Sequence, residues 1–240
     1  MFIVIDGPDG TGKQTQSELL KTYFEQIGKP VALYSFPRYE TPTGQAIKAV
    51  LSGEPFPLLE KIRLFANDRL AAKDEILTDL AAGKVVICDR YITSMIVYAM
   101  AEASLAIPRI SHVREAVHDD IAKHIVLLEL VENEMPVADL QIILALDTGV
   151  SQQLCYSRGD SDINEKNALL QEDCLSLYRL INDKKAYGVA RQTRLIECTA
   201  NTDSIRAAYD IHEEIIDHIA FFLQFANNNV AKPEIKSGNR

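Results

Sequence analysis

The chain has 240 residues, room for one large α/β domain or two small ones, and its 47% hydrophobic and 25% charged residues are ordinary for a protein with a substantial core. A net charge of −9 and a pI near 5.1 exclude a surface built to hold long nucleic acid, yet a few local cations suffice for a mononucleotide. Cys88, Cys155, Cys174 and Cys198 lack the short paired spacing of zinc or redox motifs, and no basic-then-apolar leader or long apolar run occurs, so a cytoplasmic protein with reduced thiols and no membrane partner is expected.

Phe2–Ile5 reads as a strand that leads into Gly7-Pro8-Asp9-Gly10-Thr11-Gly12-Lys13 and then into a helix over Lys13–Ile27. This is G-x-x-x-x-G-K in the strand–loop–helix context that a phosphate-binding loop needs. The glycines let the backbone turn its N–H groups toward phosphate, and the helix N-terminus adds partial positive charge. Lys13 is placed to neutralise the β- and γ-oxygens of a nucleotide. A glycine-rich turn that merely starts a helix is the plainer alternative, and the lysine in register weighs against it. Gln14 follows where many such loops place a Ser or Thr for Mg²⁺, and Thr15 comes next. That departure, together with the lack of any Asn-Lys pair, argues against a GTPase.

Gly28 stops the first helix, and Val31–Ser35 is the second expected strand. Phe36-Pro37-Arg38-Tyr39 follows it, in the crevice where ligands of open α/β sheets bind. A helix over Leu58–Leu80 puts Phe65 and Arg69 on one face, alongside an apolar stripe of Leu58, Leu59, Ile62 and Leu70. After Gly83, the strand Val85–Cys88 ends in Asp89-Arg90-Tyr91, across from the phosphate loop. Asp89 can hold Mg²⁺ through water, or cap the helix that follows. An arginine at the position of Arg90 has no comparable structural need.

Thr93–Met135 reads as two helices broken near Pro108, followed by the strand Leu140–Leu146, a helix over Ala168–Tyr187 and the strand Arg194–Cys198. Continuously apolar strands alternating with amphipathic helices predict an α/β fold, a doubly wound five-stranded parallel sheet. One domain is expected over residues 1–222, with a polar tail over 223–240.

Four motifs, in order and each on its expected element, resemble the thymidylate kinase (dTMP kinase) family across most of residues 1–200. They are Asp9 to Gln16, Phe36-Pro37-Arg38-Tyr39, Phe65-Ala66-Asn67-Asp68-Arg69, and Asp89-Arg90-Tyr91 followed by Ser94 and Tyr98. The resemblance implies a P-loop NTPase-type fold with a helical lid at about 151–166, and phosphoryl transfer from ATP to dTMP in dTTP synthesis. It further implies Mg²⁺ as cofactor, small nucleotides as partners and a homodimer.

The same resemblance implies the roles of individual residues. Gly7, Asp9, Gly10, Thr11, Gly12, Lys13, Gln14 and Thr15 hold ATP, and Arg38 clamps the acceptor phosphate beside Phe36 and Pro37. Phe65 stacks on the pyrimidine while Arg69 bonds its carbonyl edge; Ser94 lines the acceptor site and Tyr98 stands against the sugar 2′ position. Arg90 bridges the two reacting phosphates, and Lys13, Arg90, Arg158 and Asp9 form the catalytic set. Asp89, Asp9 and Glu165 serve the metal, and Asp9 also meets the sugar 3′-hydroxyl.

Plainer readings stand beside these: a solvated loop arginine for Arg38, core packing for Phe65, an ordinary buried tyrosine for Tyr98, and solvated charges for Asp9 and Glu165. Met95 and Ala99 stand where the family commonly carries a polar amide, and the lid stretch Ser157-Arg158-Gly159-Asp160 is poor in arginine. Two rivals remain. One is another nucleoside monophosphate kinase, acting on dUMP, CMP or a purine nucleotide. The other is a nucleotide-binding regulator without turnover, which has no need of the second site that Arg38, Phe65 and Arg90 make.

Overall fold

The computed structural model describes residues 1–107, 111–158, 162–184, 187, 189–201 and 204–230. Strands β1 (Phe2–Asp6), β2 (Val31–Ser35), β3 (Val85–Asp89), β4 (Ala138–Ala145) and β5 (Ala190–Glu197) form the expected five-stranded sheet, in the order β2-β3-β1-β4-β5 with every pair parallel. The connection from β1 runs to β2 at one edge and that from its neighbour β4 to β5 at the other, so the carboxyl ends of β1 and β4 form a topological switch point, where such sheets open a crevice.

Side-chain alternation along the strands builds a separate apolar layer on each face. Phe2, Val4, Val86 and Cys88 face α5 (Ile92–Ala106) and α8 (Ala168–Lys184), and pack with Ile92, Ile96, Cys174, Tyr178 and Ile181. Ile3, Ile5, Ile87, Leu140, Ile142 and Leu144 face α1 (Lys13–Gln26) and α9 (Ala208–Val230), and meet Leu20, Phe24, Ile211 and Ile215, with Cys198 in the same layer. Burying each such side chain contributes about 1.5–3 kcal/mol.

The helix expected over Leu58–Leu80 is instead two, α3 (Leu58–Leu70) and α4 (Lys73–Ala81), turning at Ala71 and the fully buried Ala72. A straight helix of that span is about 35 Å long and overshoots the sheet; the turn lets Ile62 and Ile76 join one cluster. Between α5 and the next helix, α6 (Ser111–Val126), the break falls where it was expected, though Pro108 itself lies outside the described residues. Beyond α6 comes a feature the periodicity did not announce, a π-helical segment over Leu127–Glu132 closed by the bond from Asn133 N to Leu128 O at 2.9 Å.

Also unforeseen are α2 (Pro42–Leu51), capped by Thr41 Oγ1 accepting from Gly44 N at 3.0 Å, and the hairpin of β6 (Thr199–Asn201) and β7 (Ser204–Ile205). A further helix, α7 (Thr148–Arg158), follows β4. Helix α9 packs its apolar stripe against the core through Ile219 to Phe222 and continues to Val230; residues 231–240, within the expected tail, lie outside the described set. Among the described residues, no helix is long and apolar enough to cross a membrane.

Candidate active site

At the end of β1 the chain turns through Gly7, whose φ is 141° and where a Cβ would lie 2.3 Å from Leu144 O, so only glycine fits. Gly12, at φ 86°, precedes α1 with no side-chain cap, which leaves the helix N-terminus open to an anion. The loop borders a cleft of about 730 Å³.

Into this cleft the fold brings Asp9, Gly10, Gly12, Lys13, Gln14, Thr15, Phe36, Pro37, Phe65, Arg69, Asp89, Arg90, Ser94, Tyr98 and Glu165. Gly7, Thr11 and Arg38 are not in its lining. Thr11 Oγ1 braces the loop by donating to Pro8 O at 3.0 Å. Arg38 turns to α3 instead: its N–H donates to Asp68 Oδ2 at 2.9 Å, and its Nε lies 3.8 Å from Asp68 Oδ1. Arg158 is the last residue of α7, and its side chain lies outside the described residues.

Arg90 and Asp9 organise the centre. Arg90 stands at φ 67° just past β3, held there by its N–H donating to Ile5 O at 2.9 Å. Its guanidinium pairs with Asp9, donates to Gly7 O and Ser94 Oγ at 3.3 Å each, and lies 5.5 Å from the Tyr98 ring centroid. Asp9 also accepts from Tyr98 Oη at 2.7 Å and Gln171 Nε2 at 2.8 Å, while its own N–H donates to Gln171 Oε1 at 3.0 Å. Burial alone raises the Asp9 pKa, but Arg90, Lys13, Tyr98 and Gln171 together hold it below the usual carboxylate value.

Lys13 is buried, with Nζ donating to Pro8 O at 2.6 Å. Burial first, and then the neighbouring Arg90 cation, lower its pKa to about 8 against the opposing pull of Asp9, Asp89 and Asp6. Beneath the loop, the fully buried Asp6 accepts from Gly7 N at 3.0 Å, Tyr178 Oη at 2.6 Å and Ser94 Oγ. Ser94 therefore ties α5 to the loop as well as lining the cleft.

Asp89 is buried with Oδ1 lacking a hydrogen-bond partner among the described residues, and burial raises its pKa in spite of Lys13 and Arg90. Among the described residues no group of three or more His, Cys, Asp or Glu side chains is placed to hold a metal. Mg²⁺ beside nucleotide phosphates needs only one or two carboxylates, with phosphate oxygens and water completing its shell. The orphaned oxygen of Asp89 fits that requirement, whereas Asp9 is already engaged by three donors.

Elsewhere in the cleft, Phe36, Phe65, Met95 and Tyr98 make an apolar wall, and the Phe36–Pro37 peptide is cis. Arg69 is buried in this wall and donates through Nε and Nη2 to Glu129 in the π-helical segment, with the Nε bond at 2.8 Å. Lys61 of α3 and Glu102 of α5 close the outer edge with a 2.7 Å ion pair. Opposite them, Asp162 Oδ1 accepts from the N–H groups of Asn164 and Glu165 at 2.8 and 2.9 Å and fixes the turn that presents Glu165. Asp6, Glu129, Gln171 and Tyr178 were missed in the sequence, where none sits in a local motif.

A phosphate loop at the switch point of a parallel sheet, opening with Arg90 onto a cleft that has an apolar wall, defines a P-loop nucleotide kinase. The family model described as thymidylate kinase matches residues 5–185. A probable thymidylate kinase from Pyrococcus abyssi is 28% identical over 222 residues, covering 90% of this chain and 93% of that protein. The thymidylate kinase of Mycobacterium tuberculosis is 30% identical over 189 residues, covering 74% of this chain and 84% of its own. A thymidylate kinase structure from Candida albicans superposes with a TM-score of 0.67 at 21% identity, over 95% of this chain and 92% of that one. The chain belongs to the thymidylate kinase family.

Proposed function

We propose that this protein transfers the γ-phosphate of ATP to dTMP, giving dTDP and ADP. The observation that carries the reading is Arg90, poised between the phosphate loop and the acceptor pocket and locked there by Asp9. A regulator that only binds nucleotide has no use for an arginine at that junction or for the pocket beyond it.

The chemistry asks for positioning and charge compensation more than for covalent help. An acceptor phosphate oxygen, already ionised at neutral pH, attacks the γ-phosphorus in line, so no general base is needed. The open N-terminus of α1 and Lys13 hold the donor phosphates. Arg90 compensates charge on the transferring group, a task that the resemblance also gives to Arg158 in the stretch 151–166. Asp89 would hold Mg²⁺ through water, and the ion would supply charge neutralisation to the donor phosphates. In this reading Asp9 positions Arg90 and accepts from the sugar 3′-hydroxyl, Glu165 assists from the lid side, and Arg38 needs only to swing from Asp68 to reach the acceptor phosphate.

We further read the protein as a cytoplasmic homodimer, a reading supported by the exposed apolar Leu105, Leu127 and Val131 on α5 and the π-helical segment. Light scattering tests the dimer. A coupled ADP-release assay over a panel of nucleoside monophosphates tests the activity, and a clear preference for any acceptor other than dTMP overturns it.

A further inference from the structure

Arg69 and Glu129 form the most deeply buried ion pair among the described residues, with side-chain exposures of 3% and 0%. Two donors of the guanidinium, Nε and Nη2, are spent on a single oxygen, Oε1 of Glu129. Nη1 carries no hydrogen bond among the described residues, and Arg69 lines the cleft, so that group is left for a ligand. The second carboxylate oxygen, Oε2, is buried without a hydrogen-bond partner among the described residues.

The backbone explains how a carboxylate reaches this depth. Glu129 is the buried residue of the π-helical segment, while Leu127 and Val131 on either side of it are exposed. The widened turn, closed by Asn133 N to Leu128 O at 2.9 Å and Met135 N to Glu129 O at 2.9 Å, points one acidic side chain inward. Single π turns of this kind recur at functional sites. A structural salt bridge needs no such distortion on the surface, and an isolated buried arginine is costly.

We propose that Glu129 is a positioning residue for acceptor recognition. It fixes the guanidinium plane of Arg69 and compensates its charge, so that Arg69 acts as an oriented hydrogen-bond donor to a pyrimidine carbonyl rather than as a free cation that would attract a second anion. This rests on the reading of Arg69 as a base contact and assigns the base-reading unit to a pair of residues, one of them on a segment that does not line the cleft.

The test compares Glu129→Gln, Glu129→Asp, Arg69→Gln and the double variant Arg69→Gln/Glu129→Gln with the wild-type enzyme. For Glu129→Gln, KM for dTMP rises by roughly 10-fold or more, on the scale of a misplaced binding group, while kcat and KM for ATP stay near wild type. The preference for dUMP over dCMP, which share a bare 5-position and differ in the 4-carbonyl with its N3 proton, falls in the same variant. In the Arg69→Gln background the Glu129→Gln change has no further effect on KM, because its action passes through Arg69. Should Glu129→Gln not fold, Glu129→Asp keeps the charge and shortens the reach, and the same rise in KM is expected. An unchanged KM in a folded Glu129 variant, or an equal rise in the Arg69→Gln background, overturns the proposal. A wild-type enzyme inactive on dTMP overturns the functional reading, and this inference with it; a wild type active on dTMP with unaltered Glu129 variants overturns this inference alone.

Discussion

Arg90 and Asp9 are 81 residues apart in the chain, yet their ion pair fastens the phosphate loop to the end of β3. Arg90→Ala removes both that fastening and the compensation of charge during transfer, and kcat is expected to fall by roughly 10²–10³-fold. Arg90→Lys keeps the charge but loses the planar fork that reaches Asp9, Gly7 and Ser94 together, so it rescues little. Steady-state kinetics on folded variants measure both, and near-normal turnover in Arg90→Ala removes Arg90 from the mechanism.

Lys13 makes the free enzyme sensitive to alkaline pH. Its pKa of about 8 means the ammonium is present below that pH and is lost as pH rises through it. Because kcat/KM reports the free enzyme, the value for ATP should decline above about pH 8. Bound phosphates favour the charged lysine, so kcat itself stays level to higher pH. Lys13→Ala should lower kcat by roughly 10²-fold or more. A kcat/KM profile flat to pH 9.5 contradicts the assignment of Lys13 as the donor-phosphate cation.

Tyr98 has two separable features, a ring in the cleft wall and a hydroxyl on Asp9. Tyr98→Phe loses the bond to Asp9 but keeps the ring, so the rate drops while ribonucleotides remain poor acceptors. Tyr98→Ala opens the space beside the sugar 2′ position and should raise activity on the ribonucleotide relative to dTMP. An unchanged ratio in the alanine variant shows that the ring is packing alone.

Met95 is buried in the cleft wall, where it offers a pyrimidine only apolar contact and a weak sulfur acceptor. Discrimination between dTMP and dUMP then rests on the thymine methyl, worth about 10–200-fold in kcat/KM for one methyl group in an apolar pocket. Detectable phosphorylation of dUMP is the expected outcome. The two nucleotides carry the same hydrogen-bonding groups, so a preference above roughly 10⁴ exceeds what one methyl in an apolar pocket supplies and contradicts this account of the wall at Met95.

Local chemistry explains which features were legible in the sequence. The loop from Gly7 to Lys13 was legible because a tight turn around phosphate demands glycines at fixed spacing, and the strands because a sheet covered on both faces needs unbroken apolar runs. The corner at Ala71 and Ala72 was hidden, since alanine is the best helix former and only packing against the core bends the chain there. Glu129 and Gln171 were hidden for a different reason. Their partners lie 60 and 162 residues away, and nothing near either in the chain marks it as more than a solvated side chain. Arg38 was expected in the crevice from its position after β2, but the buried Asp68 that turns it aside lies on α3, 30 residues on.

The thiols of the two core layers offer a gauge of how the protein breathes. Cys88 on β3 and Cys174 on α8 belong to the layer that α5 and α8 cover, and Cys198 to the layer that α1 and α9 cover. Burial pushes the first two well above the ordinary thiol range and Cys198 up to about 12, and alkylating reagents attack only the thiolate. Each cysteine is thus silent until its own side of the sheet comes apart, and residue-resolved alkylation rates report whether the two sides part together or in turn. Cys174 sits three residues along α8 from Gln171, so a nucleotide that tightens the Asp9 cluster slows labelling there before it slows labelling at Cys198.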